Sequence, residues 1–253
     1  MTHMKSGVLT KNITLLLDEP KKKLNIEPRT VTNVSVITQN ESADGDFNIG
    51  AGAGAHIIFP ISPKKGNFNI EVGANAHITM TFLGNDSDNH DINFNFNLIG
   101  QGANVHFQMA AIYSQSSQSK IYCRLVHTAR QTYGRIVSRR ILLDNARSAL
   151  KGMLKVEKAA QSTDTYLSDK VLLLGKKSEA SSDPQLEILA NDVKASHGAT
   201  IGKISDEELF YLRSRGINIG TAESLLSMSF LQPALVGVPA DLVRSLSLSG
   251  VLK

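Results

Sequence analysis

The sequence predicts a mainly β protein, a β-solenoid followed by a small C-terminal α-helical domain, on three observations. Between Val31 and Met109 short runs such as Val34-Ser35-Val36, Phe47-Asn48-Ile49, Phe68-Asn69-Ile70 and Phe94-Asn95-Phe96 carry apolar residues at every second position between Gly, Asn, Asp and Ser clusters. That is the pattern of strands with one buried face. The segment F-N-I-G-A-G-A-G-A-H-I-I-F from Phe47 recurs as F-N-I-E-V-G-A-N-A-H-I-T-M from Phe68, and G-A-N-V-H-F-Q-M follows from Gly102. A unit of strand, tight turn and strand cannot bury its apolar side alone but can do so by stacking on its neighbours. Finally, the texture changes abruptly at Ser205, where helix signals begin.

Residues 1–30 are read as a lead-in segment, 31–203 as the solenoid core and 204–253 as the helical domain. Strand patterning continues through Tyr133 to Leu143, Ser148 to Val156, Thr165 to Leu174 and Leu186 to Val193. An antiparallel sandwich with regular turns is the competing architecture. The repeated G-A-x-x-H and the lack of regularly spaced Asn-Gly or Asp-Gly hairpin turns favour the solenoid.

Ser205 followed by Asp206, Glu207 and Glu208 is a capping box, with acidic residues at the positive end of the helix. Leu209, Phe210 and Leu212 supply its apolar face, Arg213 and Arg215 its last turn, and Gly216 a left-handed stop. Thr221 to Leu231 reads as a second helix, with Ala222, Leu225, Leu226 and Phe230 at helical spacing. Pro239 to Leu248 reads as a third, opened by its proline.

With 253 residues the chain can bury a substantial core. The formal charge of +4, from 27 basic and 23 acidic residues, argues against a polycation that coats nucleic acid. From Thr30 to Ser119 the basic side chains other than histidine are Lys64 and Lys65, whereas Lys120 to Lys158 holds Arg124, Arg130, Arg135, Arg139, Arg140, Arg147, Lys151 and Lys155. The plain reading is a solvated outer face of strands. The functional one is a β-solenoid interaction module that binds an acidic partner or RNA through Arg135 to Lys155.

The single cysteine, Cys123, excludes an intrachain disulfide framework and a cysteine-rich metal site, and in an alternating strand it reads as buried filler. With no apolar run near the ~20 residues that span a bilayer and no secretory h-region, a cytoplasmic protein without a membrane partner is expected.

Nucleotide-binding and hydrolase motifs are missing: there is no phosphate loop ending in Lys-Ser/Thr, no G-x-S-x-G and no H-E-x-x-H. No paired carboxylates identify a glycosidase. The Gly50 to Gly54 run lacks the helix that a dinucleotide site requires. His56, His77 and His106 occupy equivalent repeat positions, so a stacked solenoid could align them in a column; no thiol or carboxylate recurs beside them as a second ligand. His197 stands before Gly198 in an expected turn between the last strand and the capping-box helix. An exposed neutral imidazole there is a competent iron ligand, and the plain reading is a ring hydrogen-bonded to the junction backbone.

The stretch from Pro184 to Ile217 is the most specific in the chain. Its pattern L-E-I, D-V, H-G-A-T-x-G and L-F-Y-L-x-S-R-G-I resembles the SufB/SufD family, components of iron–sulfur cluster assembly machinery. The resemblance runs from about Gly134 to Phe230, with the earlier repeats agreeing in architecture. It implies a right-handed parallel β-helix with a C-terminal helical domain, and a non-catalytic scaffold subunit working with a separate ATPase. It also implies dimerisation through the β-helix with a SufB-type subunit or a second copy. A SufC-type ABC ATPase would dock on Leu209, Phe210, Tyr211, Arg213, Arg215 and Gly216 with the second helix.

In SufB the turn resembling Ser196 to Thr200 has a glutamate where this chain has Gly198, and an essential cysteine falls near Asp169. His197 matches a SufD histidine that acts at the interface with that SufB cysteine. The chain is thus closer to SufD, and His197 is the implied cluster or interface ligand and metal-ligating residue. No cofactor is expected to be held permanently, only a transient iron–sulfur cluster shared with a partner. The long N-terminal helical region of full-size members is not expected.

Overall fold

The computed structural model describes residues 3–5, 8–17, 22–37, 41–59, 63–84 and 89–246. Strands alternate between two sheets. The first contains, in spatial order, β1 (His3–Lys5), β2 (Val8–Leu16), β4 (Val31–Ile37), β6 (Gly54–Phe59), β8 (His77–Gly84), β10 (Asn104–Tyr113), β12 (Tyr133–Leu142), β14 (Thr163–Leu173) and β16 (Val193–Gly202). The second contains β3 (Lys22–Ile26), β5 (Gly45–Ile49), β7 (Lys65–Val72), β9 (His90–Leu98), β11 (Gln118–His127), β13 (Arg147–Val156) and β15 (Glu179–Ile188).

Each coil gives one strand to each sheet, and every pairing is parallel except β1 with β2. This is the expected parallel solenoid, and the sandwich is excluded. Alternation of residues sends one face of every strand inward. Phe47, Phe68 and Phe94 stack along the axis, with ring centroids 6.3 and 5.4 Å apart, and Phe59, Phe82 and Phe107 pack against them or their neighbours. The polar corners are tight turns. Arg29, Gly52, Asn75, Gly102, Gln131 and Ser162 all have positive φ before strands of the first sheet. Gly100 has no side-chain space at all, because a Cβ would strike the Ala74 backbone of the preceding coil.

Several boundaries differ from expectation. The solenoid begins before residue 31, since β2 and β3 already pair with β4 and β5 within the presumed lead-in. Leu24 and Ile26 do alternate, but the strand is short and lysine-rich, so its period is hard to see. The expected strand Leu186 to Val193 straddles a turn: β15 ends at Ile188 and β16 starts at Val193. His197 therefore lies within a strand and not in a turn. Lys194-Ala195-Ser196-His197-Gly198-Ala199 has low β propensity and no alternation, and it is strand only because β14 pairs with it.

The helices are α1 (Asp206–Ser214), α2 (Ile219–Leu231), a 3-10 turn at Gln232–Ala234 and α3 (Ala240–Ser245). Ser205 caps α1 by accepting from the Glu208 N–H at 3.4 Å, and Gly216 has φ +84° at its end, as its sequence predicts. Asn218 caps α2 by accepting from Thr221 N–H at 2.9 Å, so the helix begins at Ile219, two residues before the expected start. α2 buries Ala222, Ser224, Ser227 and Leu231 and leaves Leu225 exposed, so its packed face is rotated from the one read from leucine spacing. The third helix is shorter than expected, and Ser247 and Leu248 lie outside the described residues.

α2, the 3-10 turn and α3 lie along the flank of the solenoid and leave its end uncovered. Leu231, Ala234, Leu235 and Leu246 pack on the outward residues Ile58, Leu83, Ala110, Ile112, Ile141 and Leu143 of the first sheet. The chain thereby runs back from β16 toward the early coils, and Gly237 reaches His56 of β6, where a Cβ would sit 3.3 Å from the ring.

Candidate functional site at the open end of the solenoid

β15 and β16 end their respective sheets, so each is paired along one edge only. Both are half-buried or exposed throughout, without a buried residue. The ladder pairs Thr165 with Ala195, Leu167 with His197 and Asp169 with Ala199. Thr165, Leu167 and Asp169 are buried between the sheets, so His197 continues the inward row at the point where no further coil covers it. It is exposed, and among the described residues nothing hydrogen-bonds to its ring. Next to it, Gly198 falls on the outer row, where a Cβ would lie 2.9 Å from the Tyr166 hydroxyl. A glutamate at this position would have to displace Tyr166.

Directly beneath this last coil lies a buried ion pair that the composition gave no reason to single out. Arg140 and Asp169 are both 0 % exposed, with Nη2 to Oδ2 at 2.5 Å and Nε to Oδ1 at 3.3 Å. Arg140 Nη1 also donates to Ser148 Oγ at 2.7 Å and Nη2 to the Ser181 carbonyl at 3.2 Å. The same side of the interior carries Tyr113, whose hydroxyl accepts from Ser119 Oγ at 2.9 Å and whose phenol is pushed up to about 12 by burial. The clue in sequence was phase: Arg140 shares the inward parity of Ile136 and Leu142, whereas a solvated arginine takes the other parity.

The position that resemblance assigns to a SufB cysteine is therefore filled by a carboxylate already committed to Arg140. Cys123 offers no substitute. It is fully buried between register neighbours Phe94 and Gly152, and burial pushes its thiol pKa up. Among the described residues no three His, Cys, Asp or Glu side chains are grouped to hold a metal ion. Among the described residues, the open end presents the exposed imidazole of His197.

The histidine column does not form. The sequence repeat aligns Phe47 with Phe68, but the ladder pairs Phe47 with Ile70. That two-residue offset keeps each residue on its face and moves it along the strand. His56 and His106 share a row with Thr79 between them, while His77 pairs with Gly54 and Asn104. Burial lowers the pKa of His56 and His106, the latter also through Arg135.

The basic segment is likewise divided. Arg135 faces outward on the first sheet, 2.8 Å from Asp164 and 4.0 Å over the Tyr133 ring. Arg139 is buried under Phe230 of α2 and donates to Ser168 Oγ at 3.2 Å, and Arg140 is internal. Arg147 pairs with Glu179 at 3.2 Å, and Lys155 with Glu157 and Glu187 at 3.1 and 3.0 Å on the second sheet. Arg135 to Lys155 is thus no single cationic face, because strand alternation and the solenoid corner send its members to different sides.

α1 buries no residue, packs on α2 and projects from the body. Leu209 and Leu212 are half-buried, whereas Phe210 is 75 % and Tyr211 57 % exposed. Arg213, Arg215 and Gly216 are exposed, and the Arg215 guanidinium lies 5.3 Å over the Tyr211 ring. No helix among the described residues is long and apolar enough to cross a membrane.

Residues 64–230 match the family model for the SUF system FeS cluster assembly, SufBD core domain. The chain is similar to the iron-sulfur cluster assembly protein SufD of Escherichia coli (strain K12), 45% identical over 102 residues, covering 40% of this chain and 23% of that protein. It is 29% identical over 162 residues to SufD of Bacillus subtilis (strain 168), covering 64% and 37%. SufB of the same organism is 27% identical over 144 residues, covering 57% and 31%. The chain thus spans well under half the length of these relatives. A match across the coils, the terminal turn and both helices of the projecting hairpin makes this chain a member of the SufBD family, on the SufD-like side.

Proposed function

We propose that the chain is a non-catalytic scaffold subunit of a SUF-type iron–sulfur cluster assembly complex. The family match over residues 64–230 carries this reading. The cluster is cargo in it, held transiently between subunits. His197 supplies an imidazole from this side, and a SufB-type subunit or a second copy supplies the softer ligands. The unpaired edges of β15 and β16 are suited to pairing with another chain, since an edge strand presents free N–H and C=O groups.

A SufC-type ABC ATPase docks on α1 and α2 in this reading, through Phe210 and Tyr211 with Arg213, Arg215 and Gly216 at the helix end. The exposure of two adjacent aromatics on a helix that buries none of its own residues supports that assignment. Co-expression with the SufC-type ATPase of the same genome, followed by size exclusion, tests it. A stable complex is expected, and clean separation of the two proteins would sink the ATPase-coupled reading. For the site, His197→Ala should abolish cluster delivery while leaving that complex intact.

A further inference from the structure

Arg140 and Asp169 stand out in an interior that is otherwise mostly apolar. Taking both charges out of water is costly, and apolar residues of similar volume at such sites often give equal or greater stability. Stability alone therefore gives no reason for the pair. What apolar residues would not supply is direction. Arg140, on β12, bonds the Asp169 carboxylate on β14, the Ser148 hydroxyl on β13 and the Ser181 carbonyl on β15. One guanidinium thus joins both sheets and reaches an edge strand from inside.

Its place matters as much as its bonds. Asp169 is in register with Ala199, two residues beyond His197 on the same inward row of β16. β15 and β16 are each held by a neighbour along one edge only, and neither contains a buried residue that would anchor it by packing. Their apolar contacts are those of partly buried residues, Ala180 and Ile188 on β15 and Val193 on β16.

We infer that Arg140 and Asp169 are positioning residues for the His197 end. The pair sets the spacing of β14 and β15 across the interior, so that the terminal turn presents the imidazole to a partner in one arrangement. This rests on the reading of His197 as the site residue.

The test is hydrogen–deuterium exchange on the full chain, with parent, the double variant Arg140→Met/Asp169→Leu, and His197→Ala. The double variant should melt within a few degrees of the parent, yet exchange amides of 179–188 and 193–202 roughly tenfold faster, and lose cluster delivery as His197→Ala does. A role in bulk stability alone would move the melting temperature and leave local exchange in step with the other coils. Unchanged exchange in both strands would overturn the inference. If the double variant fails to fold, Arg140→Lys decides: it keeps the charge but cannot fork across three strands, so faster local exchange supports positioning and parental exchange overturns it. Exchange needs neither iron nor partner, so positioning fails there, whereas the site reading fails if His197→Ala delivers clusters normally.

Discussion

Leu167 and His197 oppose each other across the β14–β16 ladder, the first 0 % exposed and the second open to solvent. The interior row of the solenoid passes from core to surface in a single strand spacing. An imidazole there is held by backbone pairing on one side and faces solvent on the other. That geometry separates what His197 does for folding from what it does for function.

His197→Ala should therefore leave stability within about 0.5 kcal/mol of the parent, as for surface positions away from caps and cores. Urea denaturation measures this. A cost of several kcal/mol would mean that the ring is a packing element and not an exposed ligand.

Asp169→Ala should behave oppositely. It leaves the Arg140 charge buried without its carboxylate, which costs about 3–5 kcal/mol. Denaturation at neutral pH should show the loss, and adding Arg140→Met in the same chain should recover much of it.

Acid should weaken the fold through His127. This ring is 0 % exposed, bonds Thr132 Oγ1 through Nδ1 at 2.8 Å, and leaves Nε2 buried without a partner. Burial, and then the Arg135 charge, lowers its pKa from 6.5 to about 4. The folded state keeps the ring neutral while the unfolded chain takes up a proton below about pH 6.5. Stability therefore falls as pH drops from about 6.5 to about 4 and then levels off, by on the order of 3 kcal/mol from this group. His127→Leu should flatten that part of the stability–pH curve.

Phe210→Ala combined with Tyr211→Ala should barely change the melting temperature, since neither ring is packed in the body. Co-purification with the ATPase should be lost. Retention of the complex at parental affinity would place the docking surface elsewhere.

Cys123 should resist thiol reagents in the native protein at neutral pH and react once denaturant is added, because its thiolate is disfavoured and inaccessible.

Much of this fold is legible in the chain. Phe47, Phe68 and Phe94 announce inward strands, and Ser205 and Gly216 mark the ends of α1 from local chemistry alone. The terminal turn is not, because Lys194 to Ala199 carries no alternation and becomes strand only through the β14 ladder. The histidine column misleads for a related reason. Coils differ in length, so sequence similarity at one period does not fix register, which is set by pairing. Arg140 and Asp169 are far apart in sequence, and only the coiling brings them together.

The return of the C-terminal segment across the first sheet has a consequence for cooperativity. A solenoid stabilised by nearest-neighbour contacts can fray from its ends, coil by coil. Here Leu231, Ala234, Leu235 and Leu246 bridge outward residues from β6 to β12, with Leu172 of β14 and Leu174 just after it joining them. The coils beneath this strap are thereby welded into one melting unit. β15 and β16 lie outside that apolar patch, so fraying of the last coil stops at the body behind it.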